Sequence, residues 1–231
     1  MRIARFIAKS GLVSRRKAEE LLKNKKIKVN SEIITDVTYE VTEDDKVYYE
    51  DRLLEKEKKI TIALNKPLNC LSTVKDDRGR KTVIDLLRDI DNRVYPVGRL
   101  DYRSRGLILL TNDGDLANRI MHPSYDVKKK YEVKIDRPIE ESTLKKIAKG
   151  VLIDKRTIFV DDIKYLSSGN RLQVTISEGR KRIIRRLFDK IGFKVIDLKR
   201  TQIGGLKLGD LKEGRYRILD KDDIKKILKV I

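Results

Sequence analysis

The spacing of apolar residues predicts two short helices at the start of the chain, the second from Arg15 to Lys23 with Ser14 as its N-cap. Apolar runs on both sides of Asn30-Ser31 then predict a β-hairpin. The segment 51–59 is highly charged and has no regular period, which is typical of a linker. We therefore predict three segments, namely a small domain at 1–50, a linker at 51–59 and a larger domain at 60–231.

In the larger segment, short apolar runs alternate with polar turns. The densest run, Leu107–Leu110, predicts a buried strand, and residues 128–135 alternate as a second strand. An apolar stripe at helical spacing runs from Ile183 to Ile191. Many strands with few helices, and no regular alternation between them, favour an α+β fold over a doubly wound parallel sheet.

Other signals complete this pattern of elements. Ser168-Gly169-Asn170 predicts a turn before a strand, and Val83–Leu87 predicts a short helix. Beyond Arg200, glycine turns separate two short strands, and Ile224–Ile231 predicts a closing helix.

The charge of the chain indicates a polyanionic partner. Among 231 residues there are 55 lysines and arginines against 36 acidic residues, which gives a formal net charge of +19. Because this excess is spread along the sequence, a nucleic acid is the favoured partner. A membrane partner is disfavoured, since the sequence shows no basic amphipathic anchor, no acylation signal and no apolar run of spanning length. The N-terminus lacks the apolar length of a signal peptide, so we expect a soluble, cytoplasmic protein.

Several classes of chemistry lose support from residue counts and missing motifs. One cysteine, Cys70, excludes an intramolecular disulfide, and one histidine leaves too few ligands for a structural zinc site. A Gly-rich phosphate loop, a cluster of metal ligands and a Ser–His–Asp spacing are all absent from the sequence, which disfavours nucleotide hydrolysis and metal-assisted cleavage. His122 precedes a proline, a position more typical of a local hydrogen-bonding residue than of a general base.

One carboxylate stands out as a reactive candidate. Asp101 lies among Arg99, Arg103 and Arg105, immediately before the buried strand 107–110. A carboxylate among cations at the mouth of a core strand suits a site for an anionic substrate. Without a metal or a cofactor, such a carboxylate can act as a nucleophile or as a general base.

Clusters of cations are candidates for contacts with RNA phosphates. Arg15, Arg16 and Lys17 occupy the first turn of the predicted second helix, where cations oppose the helix dipole unless an anion docks there. A solvated charge run is the alternative interpretation of each cluster. The remaining candidates for RNA binding are Lys28, Arg78, Arg80, Arg99, Arg103, Lys181, Arg182 and Arg186.

Two long motifs carry a family resemblance. GRLDYRSRGLILLTNDG, at 98–114, resembles the catalytic motif of the bacterial ribosomal RNA pseudouridine synthases of the RsuA/RluB branch, and SRRKAEELLKNKKIKVN, at 14–30, resembles an S4 RNA-binding domain. Further similarity lies in NKPLNCLSTVKDDRGRKTVIDLL, KKKYEV, SEGRKRIIRRLF and RTQIGGLKLGDL. The resemblance implies a small S4-like αβ domain and a catalytic domain built on a mixed, largely antiparallel sheet with flanking helices.

The resemblance also implies roles for individual residues. Asp101 matches the catalytic aspartate, Tyr131 the tyrosine that packs against the target base, and Arg185 the arginine that forms an ion pair with the aspartate. The implied reaction converts uridine to pseudouridine in RNA, without a cofactor or a metal, after the base has left its stack. Attack at C6 of the base, attack at C1′ of the ribose and a glycal route through C2′ all remain open.

The implied partner is ribosomal RNA or a pre-ribosomal particle, and we expect a monomer. The segments STVKDDRGRKTVIDLL and YPVGRLD favour large-subunit over small-subunit ribosomal RNA. A non-catalytic assembly factor would be expected to have lost some of the residues at the three catalytic positions, but Asp101, Tyr131 and Arg185 are all present. A binder of double-stranded DNA would be expected to have a DNA-reading motif, and the sequence shows none. Arg105, Lys181 and Ile183 depart from the residues usual in the family, which leaves the RNA contacts around them open.

Overall fold

The computed structural model describes residues 1–167 and 169–228. The chain divides into two compact units, the first of which contains Met1–Ile60 and Ile90–Arg93. The second contains Thr61–Asp89 and the described part of Val94–Ile231. Residue 168 of the predicted turn and residues 229–231 of the predicted closing helix lie outside the described residues.

The first unit combines two helices with a small antiparallel sheet. Its elements are α1 (Ile3–Lys9), α2 (Arg15–Lys23), β1 (Ile27–Val29), β2 (Glu32–Ile33), β3 (Val47–Tyr49) and β4 (Arg52–Leu53). The strand order is β2-β1-β3-β4, and the predicted hairpin is confirmed as β1–β2. Ser14 caps α2 as predicted, because its side chain accepts a hydrogen bond from the backbone N–H of Lys17 at 3.3 Å. Ile3, Ile7 and Leu22 are fully buried in a core that belongs to this unit.

The second unit is built on a nine-stranded sheet. The strands of this sheet are β5 (Thr61–Lys66), β6 (Tyr95–Val97), β7 (Arg105–Thr111), β8 (Lys129–Ile135), β11 (Asp162–Ser167), β12 (Arg171–Ile176), β13 (Val195–Ile203), β14 (Leu206–Lys207) and β15 (Tyr216–Ile218). Two further strands, β9 (Val151–Ile153) and β10 (Arg156–Ile158), form a separate hairpin. The main order is β11-β12-β8-β13-β7-β5-β15, while β14 pairs with β13 and β6 with β7. Only β13 and β7 pair in parallel among the described strands. The expected mixed, largely antiparallel sheet is therefore confirmed.

Among the described residues, four helices flank this sheet and divide its apolar residues between two cores. They are α3 (Gly114–Met121), α4 (Glu141–Ala148), α5 (Ile183–Lys190) and α6 (Lys221–Leu228). One core joins α4 and α5 to β8, β12 and β13, and the other joins α3 and α6 to β5 and β7. The predicted helix at Val83–Leu87 is reduced to a single 3₁₀ turn, Ile84–Leu86.

The central strand β13 was predicted too short. It begins at Val195 rather than near Arg200 and runs between β8 and β7, with register shifts in its pairing to β8. Asp197, Lys199 and Arg200 interrupt the apolar pattern on which the prediction rests. Their positions in the middle of a sheet become explicable only from the partners that they meet there.

Gly106 allows β7 and β13 to approach closely. Its φ of +105° lies in a region that side chains rarely adopt, and an added Cβ would lie 2.3 Å from the backbone oxygen of Arg200. We expect Gly106→Ala to lower the free energy of unfolding by about 3 kcal/mol, because backbone strain and a backbone clash act together. Urea unfolding of the purified protein measures this loss.

Gly79→Ala is the matched control for Gly106→Ala. Gly79 also has a positive φ, +68°, but an added Cβ there meets nothing within 4 Å. We therefore expect a loss of only about 1 kcal/mol from the conformation itself. Equal losses in the two variants would contradict the close approach of β7 and β13.

Candidate active site

A cavity of about 340 Å³ in the second unit brings together the main candidates from the sequence. Asp101, Tyr131 and Arg99 line it, and Lys181 and Arg182 contribute to the same lining. This volume is typical of a site for a small ligand or a single base. The predicted residues of the second unit that do not line this cavity are Arg78, Arg80, Arg103, Arg185 and Arg186.

The loop that carries Asp101, residues 98–104 between β6 and β7, is held by its backbone. Every carbonyl from Leu100 to Ser104 accepts a hydrogen bond. The donors to these carbonyls, in chain order, are Ser72 Oγ at 2.9 Å, the Ser104 N–H at 3.0 Å, the Asn69 N–H at 2.9 Å, Arg185 Nη2 at 2.6 Å and Lys66 Nζ at 2.7 Å. None of these bonds uses the Asp101 side chain, so the loop presents a carboxylate that is free to react from a preorganised backbone.

Arg185 lies beneath this loop rather than in the cavity. It is 8% exposed, although it falls outside the apolar stripe of α5. Its Nη1 donates to the Val195 carbonyl at 2.8 Å, in addition to the bond from Nη2 to Arg103. The guanidinium therefore joins the start of β13 to the loop of Asp101.

The expected ion pair between Asp101 and Arg185 is not formed. No nitrogen of Arg185 lies within 4.0 Å of the Asp101 carboxylate in the described structure, because two of its donors are committed to backbone carbonyls. Burial lowers the pKa of Arg185, and the nearby charge of Asp101 offsets part of that shift. The two groups thus interact through their charges without a direct contact.

Lys66 is a second buried cation under the loop, and neither the spacing of apolar residues nor the family motifs single it out. Its side chain is fully buried at the end of β5, where Nζ also donates to the Pro67 carbonyl at 2.9 Å. Burial lowers the pKa of Lys66 to about 8, and the charge of Asp101 is among the groups that oppose the shift. A lysine at the end of an apolar strand was the available signal in the sequence.

This pKa predicts a change in stability with pH. The pKa of Lys66 falls from 10.5 to about 8 on folding, so the unfolded chain binds more protons between these values. The free energy of unfolding should therefore rise with pH through this window, with up to about 1.4 kcal/mol per pH unit from Lys66. Lys66→Met should remove this share of the slope, as measured by urea unfolding from pH 7 to pH 11. Parallel curves for the two proteins would contradict the assignment to Lys66.

Arg200 supports the other side of the cavity and was also missed. It is 5% exposed and lies directly opposite Tyr131 on the neighbouring strand. Its Nε donates to the Leu107 carbonyl at 2.7 Å, and its Nη1 donates to the Tyr131 hydroxyl at 3.4 Å. Nη2 is buried and has no hydrogen-bond partner among the described residues. Arg200 thus links the seam between β7 and β13 to the aromatic wall of the site.

Three other polar residues of the second unit have structural partners. Arg105 forms a two-point ion pair with Asp197, at 3.1 and 2.7 Å, which accounts for a basic residue at a position that departs from the family pattern. His122 binds Ser124 through Nδ1 at 2.8 Å, which confirms a local hydrogen-bonding role. Arg80 pairs with Asp76 within its own loop at 2.7 Å.

The remaining predicted cations lie outside the cavity. Arg78 and Arg103 have exposed side chains, and Arg186 pairs with Asp154. Four candidates for RNA binding lie in the first unit. Arg15 and Arg16 are exposed, and Lys17 pairs with Glu20. Lys28 Nζ lies 3.8 Å from Asp51 Oδ1. No acidic residue occupies the first turn of α2, so its N-terminal end carries only cations.

Comparison with protein families identifies both units. Residues 60–190 match the family described as RNA pseudouridylate synthase, which covers more than half of the chain, and residues 1–47 match the S4 domain. The chain belongs to the RNA pseudouridylate synthase family. The resemblance seen in the sequence is thereby confirmed, and the protein is an RNA-modifying isomerase with an S4 RNA-binding domain.

Individual relatives extend over nearly the whole chain. The ribosomal large subunit pseudouridine synthase B of Bacillus subtilis is 39% identical, with 98% of this chain and 95% of that protein covered. The ribosomal small subunit pseudouridine synthase A of Haemophilus influenzae is 33% identical, with 99% and 100% covered. A crystal structure of a pseudouridylate synthase superposes with a TM-score of 0.72 at 30% identity, and covers 98% of this chain and 99% of that one.

Two features, a metal cluster and a membrane-spanning helix, are absent from the described residues. No group of three or more His, Cys, Asp or Glu side chains is arranged to hold a metal ion within the described ranges. No helix in those ranges has the length and apolar character needed to cross a membrane.

Proposed function

We propose that this pseudouridine synthase modifies a uridine of ribosomal RNA, with the large-subunit RNA as the favoured substrate and Asp101 as the catalytic aspartate. The observation that carries the proposal is the fixed loop that places Asp101 in one cavity with Tyr131. The relative named for the large subunit is 39% identical and the one named for the small subunit is 33% identical. Small-subunit RNA is the alternative substrate.

The reaction is an isomerisation whose atoms balance without a second reactant. The bond from N1 of uracil to C1′ breaks, the base turns within the cavity, and a bond from C5 to C1′ forms. C5 then loses its proton, and N1 gains one. Asp101 assists by attack at C6 or C1′, or by removal of a proton from C2′. A cavity of about 340 Å³ suits one base rather than a duplex, so the uridine must leave its stack.

The other residues of the site have two kinds of role: some hold Asp101 and Tyr131 in position, and others bind the RNA. Arg185 and Lys66 hold the loop of Asp101, and Arg200 holds the hydroxyl of Tyr131. Tyr131 packs against the flipped base and assists removal of the C5 proton. The RNA backbone contacts the cations at the cavity and elsewhere in the second unit, which are Arg78, Arg80, Arg99, Arg103, Lys181, Arg182 and Arg186.

The two units carry separate tasks in this proposal. Residues 1–50 form the main part of the RNA-binding domain and 60–231 the catalytic domain, while the segment 51–59 adds strand β4 to the first unit before it leads to the second. The protein acts as a monomer in the cytoplasm on ribosomal RNA or on a pre-ribosomal particle. Basic residues of the first unit, including Lys28, bind phosphates outside the cavity.

Replacement of Arg15, Arg16 and Lys17 by glutamine tests the role of the first unit. If the N-terminal turn of α2 holds phosphates, the slope of log affinity against log salt should fall by about 2, because each phosphate contact contributes about 0.7. Filter binding to a ribosomal RNA fragment measures this slope. The control replaces the exposed Lys145, Lys146 and Lys149 by glutamine, with the same change in net charge. Equal slopes in the two triple variants would show that only net charge matters.

The substrate is tested by mapping pseudouridine in ribosomal RNA from cells that lack this protein. We expect one uridine of the large-subunit RNA to lose its modification, and the intact gene but not the Asp101→Asn gene to restore it. Loss of a small-subunit site would select the alternative substrate. An unchanged pattern in both RNAs would overturn the ribosomal assignment.

A further inference from the structure

A second cavity shares a wall with the catalytic cavity. Its volume is about 620 Å³, and it lies between the segment after α3, the β9–β10 hairpin and the segment 177–180. The two cavities have five lining residues in common, which are Met121, Lys129, Glu178, Gly179 and Arg180. A ligand that occupies both cavities must therefore pass over this shared wall.

The second cavity has the surfaces that a nucleotide needs. Met121, His122 and Pro123 offer an exposed apolar edge and a flat ring against which a base can stack. Arg156 is exposed at the same cavity, and its side chain forms no hydrogen bond or ion pair with the other described residues. The cavity is larger than the one at Asp101, and cavities of this size commonly hold ligands of nucleotide size.

The covalent structure of RNA links the two cavities. A uridine flipped towards Asp101 remains joined to each neighbour through a phosphodiester. If one neighbour enters the adjoining cavity, the phosphate between them lies at the shared wall and requires a cation there.

Lys129 is the available cation in that wall. Arg180 pairs with Glu178, whereas Lys129 makes one long hydrogen bond, from Nζ to the Ser177 carbonyl at 3.3 Å. Lys129 lies two positions before Tyr131 on β8, so both side chains point to the same face of the sheet. Burial, aided by the charge of Arg200, lowers the pKa of Lys129 to about 8, so a phosphate at Nζ would stabilise its charged form.

We propose that the larger cavity binds the base of the nucleotide next to the target uridine, and that Lys129 binds the phosphate that joins the two. This inference rests on the proposed function and adds a second recognition site to it. It predicts that the enzyme reads one neighbour of the target as well as the target itself.

The test is a double-mutant cycle that combines a change in the protein with a change in the RNA. All protein variants carry Asp101→Asn, so that binding is measured without turnover. The probe is a synthetic stem–loop around the uridine identified by mapping, with either a phosphate or a neutral methylphosphonate on one side of that uridine. We expect Lys129→Gln to weaken binding of the intact RNA about tenfold. On RNA in which a methylphosphonate replaces the phosphate that Lys129 binds, the same variant should change binding by less than about twofold. An abasic neighbour on that side should also weaken binding.

Lys130→Gln is the matched control, because Lys130 is the next residue of β8 and lines a different cavity. Its effect should be the same on phosphate and methylphosphonate RNA. Thermal unfolding verifies that both variants fold. The inference would be overturned if Lys129→Gln weakened binding equally on phosphate RNA and on methylphosphonate RNA, whichever side of the uridine carries the methylphosphonate. Full binding of the abasic RNAs would also overturn it. Failure of the proposed function is distinguishable, since the wild-type enzyme would then form no pseudouridine in the stem–loop.

Discussion

Asp101→Asn is expected to lower the rate of pseudouridine formation by at least about 1000-fold, while RNA affinity changes by less than about threefold. The amide has nearly the same shape as the carboxylate but is neither a nucleophile nor a base. The loop should keep its conformation, because neither the five hydrogen bonds to its carbonyls nor the bond from the Leu100 N–H to Ser72 Oγ involves the Asp101 side chain. Tritium release from C5-labelled uridine under single-turnover conditions measures the rate, and filter binding measures affinity.

Asp210→Asn is the control for Asp101→Asn. Asp210 is exposed and lines neither the cavity at Asp101 nor the adjoining one. Its replacement removes the same charge, so we expect a rate within about threefold of the wild-type rate. Full activity of Asp101→Asn would exclude Asp101 as the catalytic group and would leave the proposed mechanism without its central residue.

Arg185→Met is expected to lower the free energy of unfolding by about 4 kcal/mol and to slow the reaction by at least about 100-fold. The variant keeps much of the side-chain volume but leaves the carbonyls of Arg103 and Val195 without their donor. One of these carbonyls belongs to the loop of Asp101, so the carboxylate loses its fixed position. Urea unfolding measures the stability, and single-turnover kinetics at saturating RNA measure the chemical step.

Arg186→Met provides the comparison for Arg185→Met. The two arginines are adjacent in α5, but Arg186 is only partly buried and pairs with Asp154 instead of the loop. We expect a loss of less than about 1 kcal/mol and a normal rate at saturating RNA. Similar losses in both variants would indicate a general effect on α5 rather than support of the loop that carries Asp101.

The sequence was most informative where local rules act. Ser14 as a cap, the turn at Asn30-Ser31 and the stripe of α5 all depend on residues close together in the chain, and all are observed. Asp101 was selected because charged residues stood directly before an apolar strand. The arginines around it have separate positions in the structure: Arg99 lines the cavity, while Arg105 forms an ion pair with Asp197.

The pattern of apolar and polar residues was least informative where a charged residue is buried and its hydrogen-bond partners are distant in the sequence. Lys66, Arg185 and Arg200 carry full charges, so composition and periodicity assign them to the surface. Each is instead buried and donates to backbone carbonyls. The family resemblance selected Arg185 but expected it to pair with Asp101, whereas the carbonyls of Val195 and Arg103 take its donors.

The sequence by itself thus determined most of the elements, the family, the basic character and the position of the candidate carboxylate. Tertiary structure decided how the loop that carries this carboxylate is held. β13 lies between β7 and β8, which places Arg200 opposite Tyr131 and brings Arg185 under the loop of Asp101. The physical reason is that periodicity reports which face of an element is apolar, whereas the environment of a buried cation depends on which distant carbonyls the fold brings to it.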